Sequence, residues 1–294
     1  MFLYNEEITH NEAVELLRQW RESGERRSED IMRLWLGVYE QELDKLGNES
    51  KNYVLEQIIF AALDCHAYGV AYMAITLLSQ EFPGSLRVMR YHAMLFEAEE
   101  KYDEALEVLD HIIKVDETNS AARKRRVAIM KAQGQINEAI KELVDYLKKF
   151  MSDVEAWQEL CELYVQVQEY SRAVFCAEEV ILHQPHNHLL QQRVADIRYT
   201  MGGVDNLELA KTYYCQTLKL NPENMRALLG LILTTNSLLT YYKSSGNSAS
   251  SKRKEVWRLC QWAQSKASRR QQRDSGAAAT EPLTQMMLAL AISD

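Results

Sequence analysis

The chain has 294 residues, 47% of them hydrophobic and 26% charged, with only 11 glycines, 4 prolines and a formal net charge of −8. That length allows one large domain or two small ones around a sizeable core, and the scarcity of chain breakers excludes a turn-rich all-β fold in favour of long helices. The negative balance argues against nonspecific nucleic-acid binding by the molecule as a whole.

At the N-terminus, MFLYNEEITHNEA turns polar and acidic after four residues, with neither the basic nor the apolar region of a secretory signal. The uninterrupted apolar run IIFAAL (58–63) falls far short of the roughly 20 residues a membrane helix needs, and the C-terminal MMLALAI is too short for a tail anchor. The five cysteines (65, 161, 176, 215, 260) are widely spaced and contain no CxxC. They read as apolar packers in a reducing compartment, so a cytosolic or nuclear location is expected.

Residues 1–51 read as an N-terminal helical cap. Its two amphipathic helices cover 9–22 and 28–46, with Thr9 or Asn11 capping the first and Ser28 the second.

A repeat then sets in. Ala71, Ala105, Ala139 and Ala173 recur at a constant step of 34, and Ala210 follows at 37, the extra residues fitting the MGGVDN turn (201–206). The units lie near 52–85, 86–119, 120–153, 154–187 and 188–224, with 225–242 as the first helix of a degenerate sixth. Ahead of each alanine lies another helical pattern. It is clearest in VEAWQELCELYVQVQEY, where Trp157, Leu160, Cys161 and Tyr164 form one apolar face. A small residue in the alanine column lets paired helices approach closely, where a large one would cost about 1–3 kcal/mol. Pro83, Pro185 and Pro222 end the second helix of their units, because proline cannot continue a helix; Glu117 and Met151 replace it in the other two. Arg126 stands at an apolar position, making 120–153 the least regular unit, with its register held by Gly134 and Ala139.

This pattern resembles the tetratricopeptide repeat, whose signature positions are filled here by Trp157, Leu160, Tyr164, Tyr170, Ala173 and Pro185. The expected fold is therefore all-α, a tetratricopeptide-repeat right-handed superhelical solenoid over 52–242.

KSSGNSASSK (243–252) reads as a flexible linker, and 253–294 as a basic C-terminal helix and tail. Residues 252–273 carry eight Lys or Arg against Glu255, a net of +7 that leaves −15 on the remainder. Val256, Leu259, Cys260, Ala263 and Ala267 form a narrow apolar stripe on that helix. The helix lies either on the acidic flank of the solenoid or against anionic lipid, for which Trp257 and Trp262 would suit an interface. DSGAAATEP (274–282) is a second break, and 283–292 a short apolar helix.

No Gly-rich phosphate loop, GxSxG or HExxH is present, so no cofactor, metal or enzymatic activity is expected. ILHQPHNHLL (181–190) holds His183, His186 and His188, but Pro185 places them on a helix end, a turn and the next helix start. Rings so distributed diverge, and a structural turn is the better reading than a zinc site. The ARKRR run (122–126) has the composition of a nuclear localisation signal, yet it sits on a predicted helix within the solenoid.

The first helix of each pair should line the concave face through positions 2, 5, 6, 9 and 12 of the frame. That selects Arg87, Arg90, Tyr91, Met94 and Glu97, then Lys124, Arg125, Ala128 and Lys131, then Glu155, Gln158, Glu159 and Glu162, then Gln192, Arg193, Asp196 and Tyr199. A basic sector (87–131) followed by an acidic one (155–162) is expected to bind partners, against the alternative that these charges are merely solvated. The carboxylate-clamp pattern of chaperone-binding tetratricopeptide domains is absent: its frame gives Arg90, Met94, Arg125, Glu155 and Glu159.

LLRQWRE, AALDCHAYGVA, FPGSLRV, TNSAARKRRVAIMKAQG, EAWQELCELY, QPHNHLLQQ and especially YTMGGVDNLELAKTYYCQTLKLNPENMRALLGL resemble the subunit 2 family of the endoplasmic reticulum membrane protein complex. The resemblance runs from about residue 9 to 235 and fades in the tail. It implies a non-catalytic scaffold, peripheral on the cytosolic face of the endoplasmic reticulum, with no nucleic-acid or small-molecule substrate. Its implied partners are membrane-spanning subunits 3 and 5 and the soluble subunit 8 or 9, in an insertase for tail-anchored and multipass proteins. The competing reading is a cytosolic or nuclear tetratricopeptide adaptor of another assembly, supported by the basic run and tail alone.

Overall fold

A computed structural model describes residues 10–39, 48–244, 250–275 and 285 of the protein. Among the described residues the structure is all-α, with fourteen helices. Two open the chain, α1 (His10–Ser23) and α2 (Ser28–Leu34), the latter running into a π-helical turn at Trp35–Tyr39. Five antiparallel pairs follow: α3 (Asn48–Asp64) with α4 (Tyr68–Glu81), α5 (Leu86–Ala98) with α6 (Tyr102–Val115), α7 (Ser120–Ala132) with α8 (Ile136–Lys149), α9 (Val154–Gln166) with α10 (Tyr170–His183), and α11 (His188–Met201) with α12 (Val204–Leu220). The last two helices are α13 (Met225–Ser244) and α14 (Ser250–Ser275). The chain divides into two compact units, residues 1–142 and 143–294, with the boundary inside α8.

Three columns of the 34-residue frame explain why these segments become helix pairs. Ala71, Ala105, Ala139, Ala173 and Ala210 are all fully buried, at the contact where two backbones come closest. The turn inside each pair carries a left-handed residue in one column, His66, Glu100, Gly134, Gln168 and Gly202, again 34 apart with φ between 57° and 75°, and Gly203 adds a second, at 78°, in the last turn. At the first four, the following amide bonds back across the helix end, as in Lys101 N–H to Phe96 O at 2.8 Å and Gln135 N–H to Met130 O at 2.9 Å. That Schellman closure satisfies carbonyls the helix end would otherwise orphan. The third column caps the next first helix. Asn119, Asp153, Asn187 and Asn224 accept from the backbone N–H of Ala122, Ala156, Leu189 and Ala227 at 3.0–3.1 Å. Ser85 occupies the same column without a side-chain bond. Pro83, Pro185 and Pro222 lie two residues beyond the ends of α4, α10 and α12, as expected of terminators.

In the first unit, the opening helices bury Leu17, Trp20, Ile31 and Trp35 against the core of α3 and α4. Of the expected 28–46 span, 28–34 is α-helical and 35–39 π-helical, and 40–47 lies outside the described residues. Ser28 does not cap α2. It is the first helical residue, and its hydroxyl donates to Asp64 at 2.5 Å. Arg26 clasps the same carboxylate at 2.7 and 2.5 Å, and this hydrogen bonding holds Asp64 below the usual carboxylate range. Thr9 and the Asn11 side chain lie outside the described residues.

In the second unit, α12, α13 and α14 form the final layer. Gly230 lets α13 approach α12: a Cβ there would fall 2.4 Å from the Tyr214 ring. Tyr214 is itself buried and anchored by donating its hydroxyl to Asp196 at 2.6 Å. Of the expected linker, Lys243 and Ser244 end α13 and Ser250–Lys252 already belong to α14; 245–249 lies outside the described residues, as do 276–284 and 286–294 of the tail. Val256, Cys260, Ala263 and Ala267 are buried against α13 and its neighbours, so packing on the repeat array is the fate of the apolar stripe.

Candidate partner-binding surface

Successive first helices in each unit are tied together by ion pairs drawn from the frame positions singled out by sequence. In the first unit, Arg87 of α5 reaches Glu56 of α3 at 2.6 Å, and Arg125 of α7 reaches Glu97 of α5 at 2.5 Å. In the second, Arg193 of α11 reaches Glu162 of α9 at 2.6 Å, and Arg226 of α13 reaches Asp196 of α11 at 2.9 Å. Side chains that pair across consecutive first helices share a face, so these positions do form a common surface within each unit. Lys124, Lys131, Glu155 and Glu159 have interaction partners as well. The charges are thus partly committed to one another. Pairs this exposed contribute little stability, but they hold the side chains in defined positions.

The basic and acidic sectors fall in different units, and each contains opposite charges. Glu56 and Glu97 pair with arginines of the basic sector (87–131), and Arg193 pairs with Glu162 of the acidic one (155–162). Two selected residues are not surface groups. Tyr91 is 1% exposed, edge-on to Phe60 at 5.8 Å, its hydroxyl accepting from Arg87 at 3.1 Å. Gln192 is 7% exposed and accepts from the Asn224 amide at 2.7 Å. Arg90 is half-buried, its guanidinium 5.8 Å from the Tyr91 ring, and Met94 is half-buried against the core of the first unit. In the second unit Glu155, Gln158, Glu159, Glu162 and Arg193 line a cleft of about 360 Å³.

The ARKRR run is engaged in structure. Arg123 is buried and donates to the Glu117 carbonyl at 3.1 Å; Arg125 pairs with Glu97; Arg126 bridges Asp110, at 2.7 Å, and Glu142. The histidines serve the fold in different places. His183 ends α10 and His186 occupies the turn, both exposed, while the His188 ring lies 3.2 Å from both Asn221 and Asn224. Among the described residues no group of His, Cys, Asp or Glu is placed to hold a metal ion. Burial pushes all five thiols above their ordinary value, to about 11 for Cys161 and about 12 for Cys176, which is the chemistry of packing groups.

Sequence reasoning missed one surface. Trp157, Leu160, Tyr164, Met151 and Phe175 line a mainly apolar cleft of about 510 Å³ in the second unit, with Phe175 57% exposed. Trp157 is turned there by its indole N–H, which donates to the Met151 carbonyl at 2.8 Å. The available signal was Phe175, an aromatic beside the apolar stripe of α10 and not within it.

Comparison with known proteins fits this surface-building architecture. The family described as EMC2 TPR-like repeat domain matches residues 85–219. The chain is 44% identical over 239 residues to "ER membrane protein complex subunit 2-A" of Xenopus laevis, covering 81% of this chain and 80% of that one. It is 32% identical to "ER membrane protein complex subunit 2" of Dictyostelium discoideum, over 76% and 73% of the two chains. In fold, it is similar to the crystal structure of the C-terminal part of a TPR repeat-containing protein from Cytophaga hutchinsonii. That likeness has a TM-score of 0.61 at 13% identity, covering 95% of this chain and 100% of that one. With its 34-residue helix pairs and this extended identity, the chain belongs to the ER membrane protein complex subunit 2 family.

Proposed function

We propose that this protein is a non-catalytic scaffold subunit of the endoplasmic reticulum membrane protein complex. In this reading it sits peripherally on the cytosolic face of the membrane and organises cytosolic parts of an insertase for tail-anchored and multipass proteins. Its partners are the membrane-spanning subunits 3 and 5 and the soluble subunit 8 or 9. The observation that carries the reading is the identity with subunit 2 relatives over most of both chains. The first-helix surfaces support it: their charges are pre-positioned by inter-helix pairs, which lowers the ordering cost of binding a folded partner. Among the described residues no helix is long and apolar enough to cross a membrane, so contact with membrane-spanning subunits would run through their extramembrane segments.

Pull-down of the tagged chain in mild detergent, read by mass spectrometry, tests the assignment. Recovery of membrane-spanning subunits of the complex is expected; recovery only from a soluble nuclear pool, with none of them, would overturn it. Arg90→Glu combined with Lys131→Glu should then deplete one or more subunits, while the circular dichroism spectrum stays unchanged.

A further inference from the structure

Helix α14 is fixed in rotation. Its buried stripe, Val256, Cys260, Ala263 and Ala267, is held against the end of the repeat array. At 3.6 residues per turn, the opposite face must then present Lys254, Arg258, Trp262, Ser265 and Arg269 as one continuous row about 22 Å long. The burial pattern agrees: all five are exposed. Lys254, Arg258 and Arg269 have no ion pair among the described residues, unlike the charges of the first-helix surfaces. Two indoles accompany the row, Trp257 and Trp262, each 44% exposed. Next to Trp257, Ser250, Arg253 and Lys254 complete a shallow cleft of about 330 Å³.

We infer that this face of α14 is a docking surface for anionic lipid headgroups. Charge complementarity supplies the attraction: three unpaired cations stand on one straight line in a chain whose net charge is −8. An acidic chain is repelled by an anionic bilayer unless its cations are gathered on the face that meets it. The tryptophans decide between lipid and an acidic peptide. Indoles with a polar N–H and an apolar body are suited to the headgroup layer, and a purely ionic peptide site has no use for two half-exposed rings flanking its cations. The inference goes beyond complex membership and is tested without the complex.

The test is flotation of the purified 294-residue chain with vesicles of phosphatidylcholine, alone or with about 30% phosphatidylserine. Binding only to the anionic vesicles, weakening from 50 to 300 mM salt, is expected. Arg258→Glu with Arg269→Glu should weaken the partition at least tenfold, because each basic side chain near such a surface contributes a factor of about five. Both residues are exposed and the buried stripe is untouched, so the thermal melt should be preserved. Trp257→Phe with Trp262→Phe should retain charge-driven binding but lose most quenching by brominated lipid. Equal binding to both vesicle types, or none, overturns the inference. So does failure on vesicles together with tight binding of a polyglutamate peptide, which would assign the face to an acidic protein segment.

Discussion

Helices α7 and α9 occupy the same place in consecutive repeats yet are packed by opposite chemistry. In α9 the apolar pair Trp157 and Leu160 faces Val144 of α8 and Cys176 of α10, around a cleft open to solvent. Thirty-four residues earlier, every one of these positions is charged. Arg123 and Arg126 stand for Trp157 and Leu160, Asp110 for Val144, and Glu142 for Cys176. Arg126 bonds both carboxylates, and Arg123 lies 3.9 Å from Glu142. A repeat can therefore replace an entire apolar contact by an ion-paired one if all partners change together. The frame demands filled space with its charges paired, and it does not dictate which chemistry fills it.

Mixing the two solutions should be worse than either. Leu160→Arg places an unpaired cation between Val144 and Cys176 and should cost about 4–5 kcal/mol, unfolding the second unit in a urea titration. Arg126→Ala leaves Glu142, whose side chain is only 11% exposed, with Arg123 alone at 3.9 Å, and should cost about 3 kcal/mol, at the low end for a buried pair because Asp110 remains half-exposed. The concerted change Asp110→Val, Arg123→Trp, Arg126→Leu and Glu142→Cys should instead raise stability by about 1–2 kcal/mol, measurable as a higher denaturation midpoint. A quadruple variant less stable than Arg126→Ala would refute the equivalence of the two solutions.

Alkaline pH separates the two repeats further. The folded pKa values of Cys161 and Cys176, about 11 and about 12, are raised above the ordinary thiol value. Their contribution is thus fully present below about pH 8.5 and lost as pH rises toward the folded values. By pH 10 each thiol should have lost about 2 kcal/mol, seen as faster alkylation of α9 and α10 thiols than at pH 8 allowing for thiolate fraction, with no such loss from the Arg126 site. The smallest expected effect lies in the turn column the two repeats share. Glu100→Gly and Gln168→Gly relieve a left-handed conformation without touching either contact, and should stabilise by about 0.5–1 kcal/mol each in thermal melts.

Much of the fold was legible because its devices are periodic. Five buried alanines and three terminal prolines repeat in the sequence as they do in space, so helix pairing follows from spacing alone. Two further columns were harder to see. The left-handed turn is occupied by His66, Glu100 and Gln168 as readily as by Gly134, since its hydrogen bonds belong to the backbone. The capping column mixes Asn and Asp, and its meaning depends on knowing where each helix starts.

The sequence by itself determined the repeat length, the helix pairs, the close-contact alanines and the apolar stripe of α14, because each is a local periodicity. Only the tertiary structure decided which charges were available. It buried Tyr91 and Gln192, committed Arg125 to Glu97 and Arg193 to Glu162, and left Lys254, Arg258 and Arg269 of α14 without an ion pair among the described residues. Pairing joins residues about thirty positions apart on neighbouring helices, and side-chain reach across that gap is set by packing distance, which no single helix encodes.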